Sequence, residues 1–162
     1  MGGQIQQSSF AFEVRPPDDL EVASLYADFV READGPLDPA VVDVEGEIAA
    51  GPPGDLVEPN GVLLLGTVDG EPAVLGGVRH LDTETAEIKS MYVVPEHRGR
   101  GLGGAIIAEL ERIARERGCR AVRLDTSAYL TPAVALYRSA GYREVGDYNG
   151  NPKADLWFER QL

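Results

Sequence analysis

The segment from Met91 to Gly104, MYVVPEHRGRGLGG, constrains the fold of this 162-residue chain more than any other. A β-branched run stops at Pro95, four glycines fall within residues 99–104, and an amphipathic stretch begins. From Gly103 to Arg117 that stretch carries Ile106, Ile107, Leu110, Ile113 and Ala114 on one helical face, and Gly118 closes it. Ala121 to Asp125 then reads as a strand reached through a helical crossover, which makes it parallel to its predecessor. The strands before the crossover are of the other kind. Val62–Val68 and Ala73–Leu81 meet at Asp69-Gly70-Glu71, a hairpin turn signal, and Thr85–Val94 follows in series. The chain therefore has to build a mostly antiparallel sheet with one parallel crossover, opened by a glycine-rich loop.

The remaining segments add to this frame. Phe10 to Val14 alternates apolar and polar residues and reads as a strand. Pro16-Pro17-Asp18-Asp19 ends it and starts a helix, striped by Leu20, Ala23, Ser24, Ala27 and Val30 or by Leu25, Phe29 and Ala33. Residues 34–61 carry five prolines, several acids and one helix-like piece around Val41 to Ala50. Thr131-Pro132 caps a short helix that ends at Gly141. Tyr142–Val145 and Leu156–Glu159 are closing strands around the turn Asn149-Gly150-Asn151-Pro152. The order β-α-(α)-β-β-β-α-β-α-β-β predicts an α/β fold, a mixed sheet with helices on both faces, as one domain over residues 1–162. Ligands in open α/β sheets gather at such a crossover.

Composition removes several function classes. No apolar run approaches the roughly 20 residues of a membrane span, so no membrane partner is expected. Met1 to Gln6 carries neither a myristoylation pattern nor a signal-peptide core, and a cytoplasmic setting follows as the expectation. One cysteine and two histidines make a metal site unexpected. Charge is unevenly placed: residues 1–71 hold fifteen acids against Arg15 and Arg31, while residues 72–162 are nearly balanced. Nucleic acid is a poor partner for such a chain. An anionic cofactor suits the second half, and the acidic first half suits a cationic substrate.

The glycine loop sits where backbone N–H groups and a helix dipole face something anionic, with Arg98 and Arg100 beside it. Gly99, Gly101 and Gly104 satisfy G-x-G-x-x-G, with Asp125 ending the next strand, which is the dinucleotide fingerprint. Three features oppose that reading. Pro95-Glu96-His97-Arg98 separates strand from first glycine, hairpin-like strands precede the loop, and two arginines suit a more highly phosphorylated ligand.

Arg98-x-x-Gly101-x-Gly103 resembles the R/Q-x-x-G-x-G/A signature of the GNAT acetyltransferase superfamily. Val93-Val94-Pro95 precedes it, a long amphipathic helix follows, and Ala133 to Tyr142, AVALYRSAGY, closes the motif region. The stretch from Glu87 to Val93, EIKSMYV, with Tyr148 to Pro152, YNGNP, is similar to a subgroup of small bacterial enzymes whose acceptors are poorly defined. The resemblance implies a GNAT-type fold and acetyl-CoA as co-substrate. It implies that Arg98, Gly99, Arg100, Gly101, Leu102, Gly103 and Gly104 wrap the pyrophosphate. Met91, Tyr92 and Val93 would lend backbone hydrogen bonds to the pantetheine arm, with an N–H near Tyr92 or Val93 facing the acetyl oxygen. Tyr137 matches the tyrosine that protonates the departing thiolate. Glu87 and Asp125 each match a carboxylate that members use as base, with Glu87 the preferred of the two. Either could instead pair with an arginine such as Arg123 or shape the acceptor pocket.

The expected reaction is direct transfer of acetyl to an amine of a small, cationic molecule. Deprotonating a lysine-like amine at neutral pH costs about 4–5 kcal/mol and an α-amine about 1 kcal/mol, so a water relay to either carboxylate would serve both. The wall of the acceptor pocket is expected from the helix starting at Asp18 and the loop through Asp55. A peptide or protein N-acetyltransferase and a non-catalytic coenzyme A-binding module are the alternatives. Many members of the family pair, which brings in a homodimer. One position departs from the pattern: Leu130 stands where many members have Asn. Cys119, His80 and His97 are assigned no chemistry, His97 as a surface loop residue.

Overall fold

The computed structural model describes residues 8–162; the Met1–Gln6 segment lies outside them. The elements are β1 (Phe10–Val14), α1 (Leu20–Ala33), α2 (Val44–Ala50), β2 (Gly61–Val68), β3 (Glu71–His80), β4 (Thr85–Val93), α3 (Leu102–Glu116), β5 (Ala121–Thr126), α4 (Thr131–Ser139), β6 (Arg143–Val145) and β7 (Leu156–Gln161). A 3-10 turn, Pro95–His97, lies between β4 and α3. The strands form one seven-stranded sheet in the order β1-β2-β3-β4-β5-β7-β6. All neighbours are antiparallel except β4 and β5. Among the described residues, no helix is long and apolar enough to cross a membrane.

Period-two alternation divides the apolar residues between the sheet's two faces. In β2, Val62 and Leu64 join Ile106, Ile107 and Leu110 of α3 in one core. Leu63 and Leu65 join Val22, Leu25 and Val30 of α1 in the other. Asp19 caps α1, accepting from the N–H groups of Glu21 and Val22 at 2.9 and 3.1 Å. The helix-like piece read from Val41 is realised from Val44, where the Asp43 side chain accepts from Gly46 N–H.

Two irregularities shape the site. The first is a bulge in β4. Leu75 pairs with Tyr92 and Gly77 with Lys89, so Ser90 and Met91 together oppose Gly76. Ser90 takes φ 58°, and a Cβ on Gly76 would come within 2.9 Å of the Met91 sulfur. The second is a split. β4 and β5 pair only at Thr85–Ala121, Ala86–Val122 and Glu87–Arg123, and beyond these the two strands part. The parallel crossover thus opens into a cleft on the C-terminal side of both strands, where a ligand is expected in an open α/β sheet.

Candidate active site

The cleft holds two cavities that share a neck. One, of about 300 Å³, is lined by Tyr92, Val93, Arg98, Gly99, Leu102 and Gly104, among others. The other, of about 180 Å³, is lined by Asp34, Lys89, Asp125, Asn151 and Lys153, among others. Met91, Leu130, Ala133 and Tyr137 border both, as do Phe29 and Ala33 of α1.

The larger cavity is built from main chain. Gly99 and Gly101 take φ of 74° and 80°, a left-handed conformation that turns the loop into α3. Gly101 is the N-cap of α3 and makes no side-chain cap, so the N–H groups of Leu102, Gly103 and Gly104 lack intrahelical acceptors. A Cβ added at Gly99, Gly101 or Gly104 would meet nothing within 4 Å, so these positions leave open space along the lining. Val94 N–H donates to the Ala73 carbonyl at 2.9 Å. Alternation along the strand then turns Val93 N–H the other way, toward the gap between β4 and β5. Tyr92 lines this cavity and belongs to the α1-side core. A free N–H edge, a positive helix end and a shaped glycine loop suit the pyrophosphate and amide-bearing arm of coenzyme A. Arg100 lies outside the lining, unlike Arg98, Gly99, Gly101, Leu102, Gly103 and Gly104.

Arg98 is engaged with the protein. Its Nε donates to the Val93 carbonyl at 2.9 Å, and Nη2 reaches both oxygens of Glu32 on α1 at 2.7 and 2.9 Å. The guanidinium also lies 5.6 Å from the centre of the Tyr92 ring. His97 does not behave as a plain surface residue: it lines this cavity, and its Nδ1 is buried with no partner among the described residues.

The smaller cavity is built from side chains of distant segments. Of the acids in residues 8–71, Asp34 lines it, together with Tyr26, Phe29, Ala33 and Pro53. Asp55, expected in this wall, instead accepts from Arg79 at 2.9 and 3.2 Å. Lys153, from the loop between β6 and β7, sets its ammonium 3.2 Å from Asp34 and 2.8 Å from Glu47 of α2. Burial raises the Asp34 carboxyl above its usual range, against the pull of Lys153. Tyr129 hydroxyl donates to the Ala33 carbonyl and ties the segment before α4 to the end of α1.

Tyr137 stands at the neck. Its ring packs among Tyr142 and Phe158, while its hydroxyl makes no hydrogen bond to any described residue. Burial, and secondarily the negative charge of Asp125, push its ionisation well above that of a free phenol. The side chain is therefore a protonated, uncommitted donor at neutral pH.

The two candidate carboxylates are placed differently. Asp125 lines the smaller cavity, accepting from Asn149 Nδ2 at 2.5 Å and Asn151 Nδ2 at 3.2 Å, with Lys89 Nζ at 3.5 Å. Glu87 lines neither cavity. Only 1% exposed, it accepts from Arg79 Nη2 at 2.8 Å, from Tyr148 hydroxyl at 2.6 Å and from Asn149 Nδ2 at 3.3 Å. Lys89, Asn149, Asn151 and Lys153 were not singled out as site residues from sequence. Lys89, Asn149 and Asn151 lie in the EIKSMYV and YNGNP stretches that resemble a subgroup of the family, which assigns them no role, and Lys153 carries no signal in the sequence.

A profile of the acetyltransferase (GNAT) family matches residues 12–142. The chain belongs to this family. Thialysine N-epsilon-acetyltransferase of Sus scrofa is 35% identical over 63 residues, 39% of this chain and 37% of that protein. This and two other curated relatives are matched over 37%, 45% and 59% of their own lengths, so the chain spans about half the length of the curated relatives it matches. An acetyltransferase structure from Streptococcus agalactiae superposes with TM-score 0.74 at 15% identity, covering 94% of this chain and 98% of that one. The PaiA N-acetyltransferase of Thermoplasma acidophilum, solved in complex with coenzyme A, superposes with TM-score 0.72 at 17% identity, covering 95% and 99%. At these identities the likeness is one of fold.

Proposed function

We propose that this chain transfers an acetyl group from acetyl-CoA directly to an amine of a small, cationic molecule. The observation that carries the reading is Tyr137. An unpartnered phenol stands where the glycine-loop cavity meets a second cavity bearing a carboxylate. In this reading acetyl-CoA lies along β4, with its phosphates on the loop from Arg98 to Gly104. The Val93 N–H donates to the acetyl oxygen, and losing one such donor in other enzymes raises the barrier by about 3 kcal/mol. The amine enters from the smaller cavity, its nitrogen attacks the carbonyl carbon, and its proton passes to Asp125 directly or through water. As the C–S bond breaks, Tyr137 gives its proton to the sulfur. Asp125 takes precedence over Glu87 as base because it lines the acceptor cavity, whereas Glu87, 1% exposed, lines neither cavity.

The acidic balance of residues 1–71 supports a cationic acceptor. The amine acceptor named for the thialysine relative supports a small one. So does the bridge of Lys153 to Asp34 and Glu47, which closes the cavity between α1, α2 and the β6–β7 loop.

The test is a thermal-shift titration with acetyl-CoA, with NAD and NADP in parallel, followed by thiol release from acetyl-CoA across matched panels of free amines and peptides. Stabilisation by acetyl-CoA and turnover with free amines is the expected result. Stabilisation by NAD or NADP would sink the coenzyme assignment, turnover with peptides alone the small-acceptor assignment. Binding without any turnover would leave a coenzyme A-binding module.

A further inference from the structure

The sheet face that carries Asp125 also carries Glu87 and Arg123. Residues paired across strands share a face, so Glu87 of β4 sits beside Arg123 of β5, and Asp125, two residues on, sits beside Trp157 of β7. The tip of the β6–β7 loop closes over this face, with the Tyr148 ring 5.4 Å from the Arg123 guanidinium. Asn149 is the residue that this tip sets between the two carboxylates.

Every polar position of its side-chain amide is used. Nδ2 donates to Asp125 Oδ2 at 2.5 Å and to Glu87 Oε2 at 3.3 Å. Oδ1 accepts from Trp157 Nε1 at 2.9 Å and from Asn151 N–H at 3.1 Å. Two donors on one side and two carboxylate acceptors on the other fix which way the amide faces, since a flip would oppose like groups at all four contacts. Glu87 is itself held by Arg79 and by Tyr148.

We infer that Asn149 is a positioning residue for Asp125: anchored by Glu87 and Trp157, its amide holds the Asp125 carboxylate in the rotamer that faces the acceptor cavity. Glu87, in this arrangement, is the anchor of the network and does not meet the acceptor. The inference rests on the reading of Asp125 as the base, and its test separates the two.

The first arm needs no acceptor. In the ¹H–¹⁵N spectrum of the full chain, the two Asn149 side-chain amide protons are each bonded to a carboxylate. Asp125→Asn should move one of them and Glu87→Gln the other. If Asp125→Asn moves neither, the bridge does not exist and the inference is overturned. The second arm measures thiol release from acetyl-CoA with thialysine as the amine probe. Asn149→Ala should lower kcat on the order of tenfold to a hundredfold, the range expected when a reacting group is displaced by about 1 Å. The KM for acetyl-CoA and the thermal shift it produces should not change. Isosteric Asn149→Asp should be worse than Ala, because it puts a third carboxylate where a donor was, and Trp157→Phe should be milder than either. A purely structural role would instead lower melting temperature and leave kcat per folded molecule intact, which overturns the inference. Loss of turnover in Asp125→Asn with wild-type kcat in Asn149→Ala overturns the inference and leaves the base assignment standing. Wild-type turnover in Asp125→Asn overturns both. Should thialysine not turn over, a crystal structure of Asn149→Ala decides, with Asp125 expected to leave its rotamer and an unmoved Asp125 overturning the inference.

Discussion

The two cavities that meet at Tyr137 are made of different material. The larger takes most of its lining from the contiguous stretch between Met91 and Gly104, with α4 and the end of α1 around it. Its recognition groups are N–H groups of a bulged strand and of a helix end, held in place by the hydrogen bonding of the sheet and helix themselves. The smaller is a surface of side chains from α1, β4, β5 and the β6–β7 loop, residues far apart in sequence. Its charged groups are fixed by one another, as in Lys153 between Asp34 and Glu47 and Asp125 between two asparagines. A main-chain site tolerates change in the side chains around it and suits a ligand that stays the same. A side-chain site changes its chemistry with any one substitution, which suits an acceptor that differs between relatives.

That contrast can be broken most directly at the neck. Tyr137→Phe should lower kcat about a hundredfold, in the range for loss of a general acid, and leave acetyl-CoA stabilisation intact. The same residue gives a pH test with a defined sign. Its ionisation is pushed above the free-phenol value of about 10, so the acid form persists through neutral and mildly alkaline pH. The rate should show no descending limb from Tyr137 up to about pH 10. A limb near pH 8 that vanishes in Tyr137→Phe would keep Tyr137 as the acid and overturn its raised ionisation.

On the coenzyme side, Gly101→Val places a β-branched residue at φ 80°. The strain of roughly 1–2 kcal/mol should distort the loop and raise the acetyl-CoA dissociation constant about tenfold, with the acceptor KM unchanged at saturating coenzyme. On the acceptor side, Asp34→Asn should raise the KM for a cationic amine by severalfold and leave acetyl-CoA affinity alone. Equal effects of either variant on both substrates would show that the cavities are not separable. The smallest effect belongs to Glu32→Gln. Removing this carboxylate frees Arg98 and takes a negative charge from the lining of the coenzyme cavity. An exposed ion pair is worth at most about 1 kcal/mol, so acetyl-CoA should bind no more than about fivefold tighter by isothermal titration.

These differences of construction explain what could be read from the chain before its fold was known. Glycines at 99, 101, 103 and 104, the β-branched run before them and the amphipathic helix after them are local signals, because backbone geometry is set by neighbours in sequence. The larger cavity was legible for that reason, as was the alternation that divides Val62 and Leu64 from Leu63 and Leu65. Tyr137 was legible through its motif, although its motif alone does not distinguish a core aromatic from an uncommitted phenol.

The acceptor side was not legible in the same way. Glu87 and Asp125 are equivalent as letters, both acids on strands beside the cleft, and each matches a carboxylate that family members use as base. Only the sheet register set Glu87 beside Arg123, where Arg79 and Tyr148 close over it, and left Asp125 at the open end of β5. The same holds for Lys153, which bridges the end of α1 to α2, and for Cys119, whose sulfur lies 3.5 Å from the Nδ1 of His80. The chain by itself determined its elements, their order and the glycine loop, because these follow from propensity and periodicity within short windows. Which side chains converge on the acceptor was decided by the splay of β4 from β5 and by the return of β7, contacts between residues too distant for any local pattern to encode.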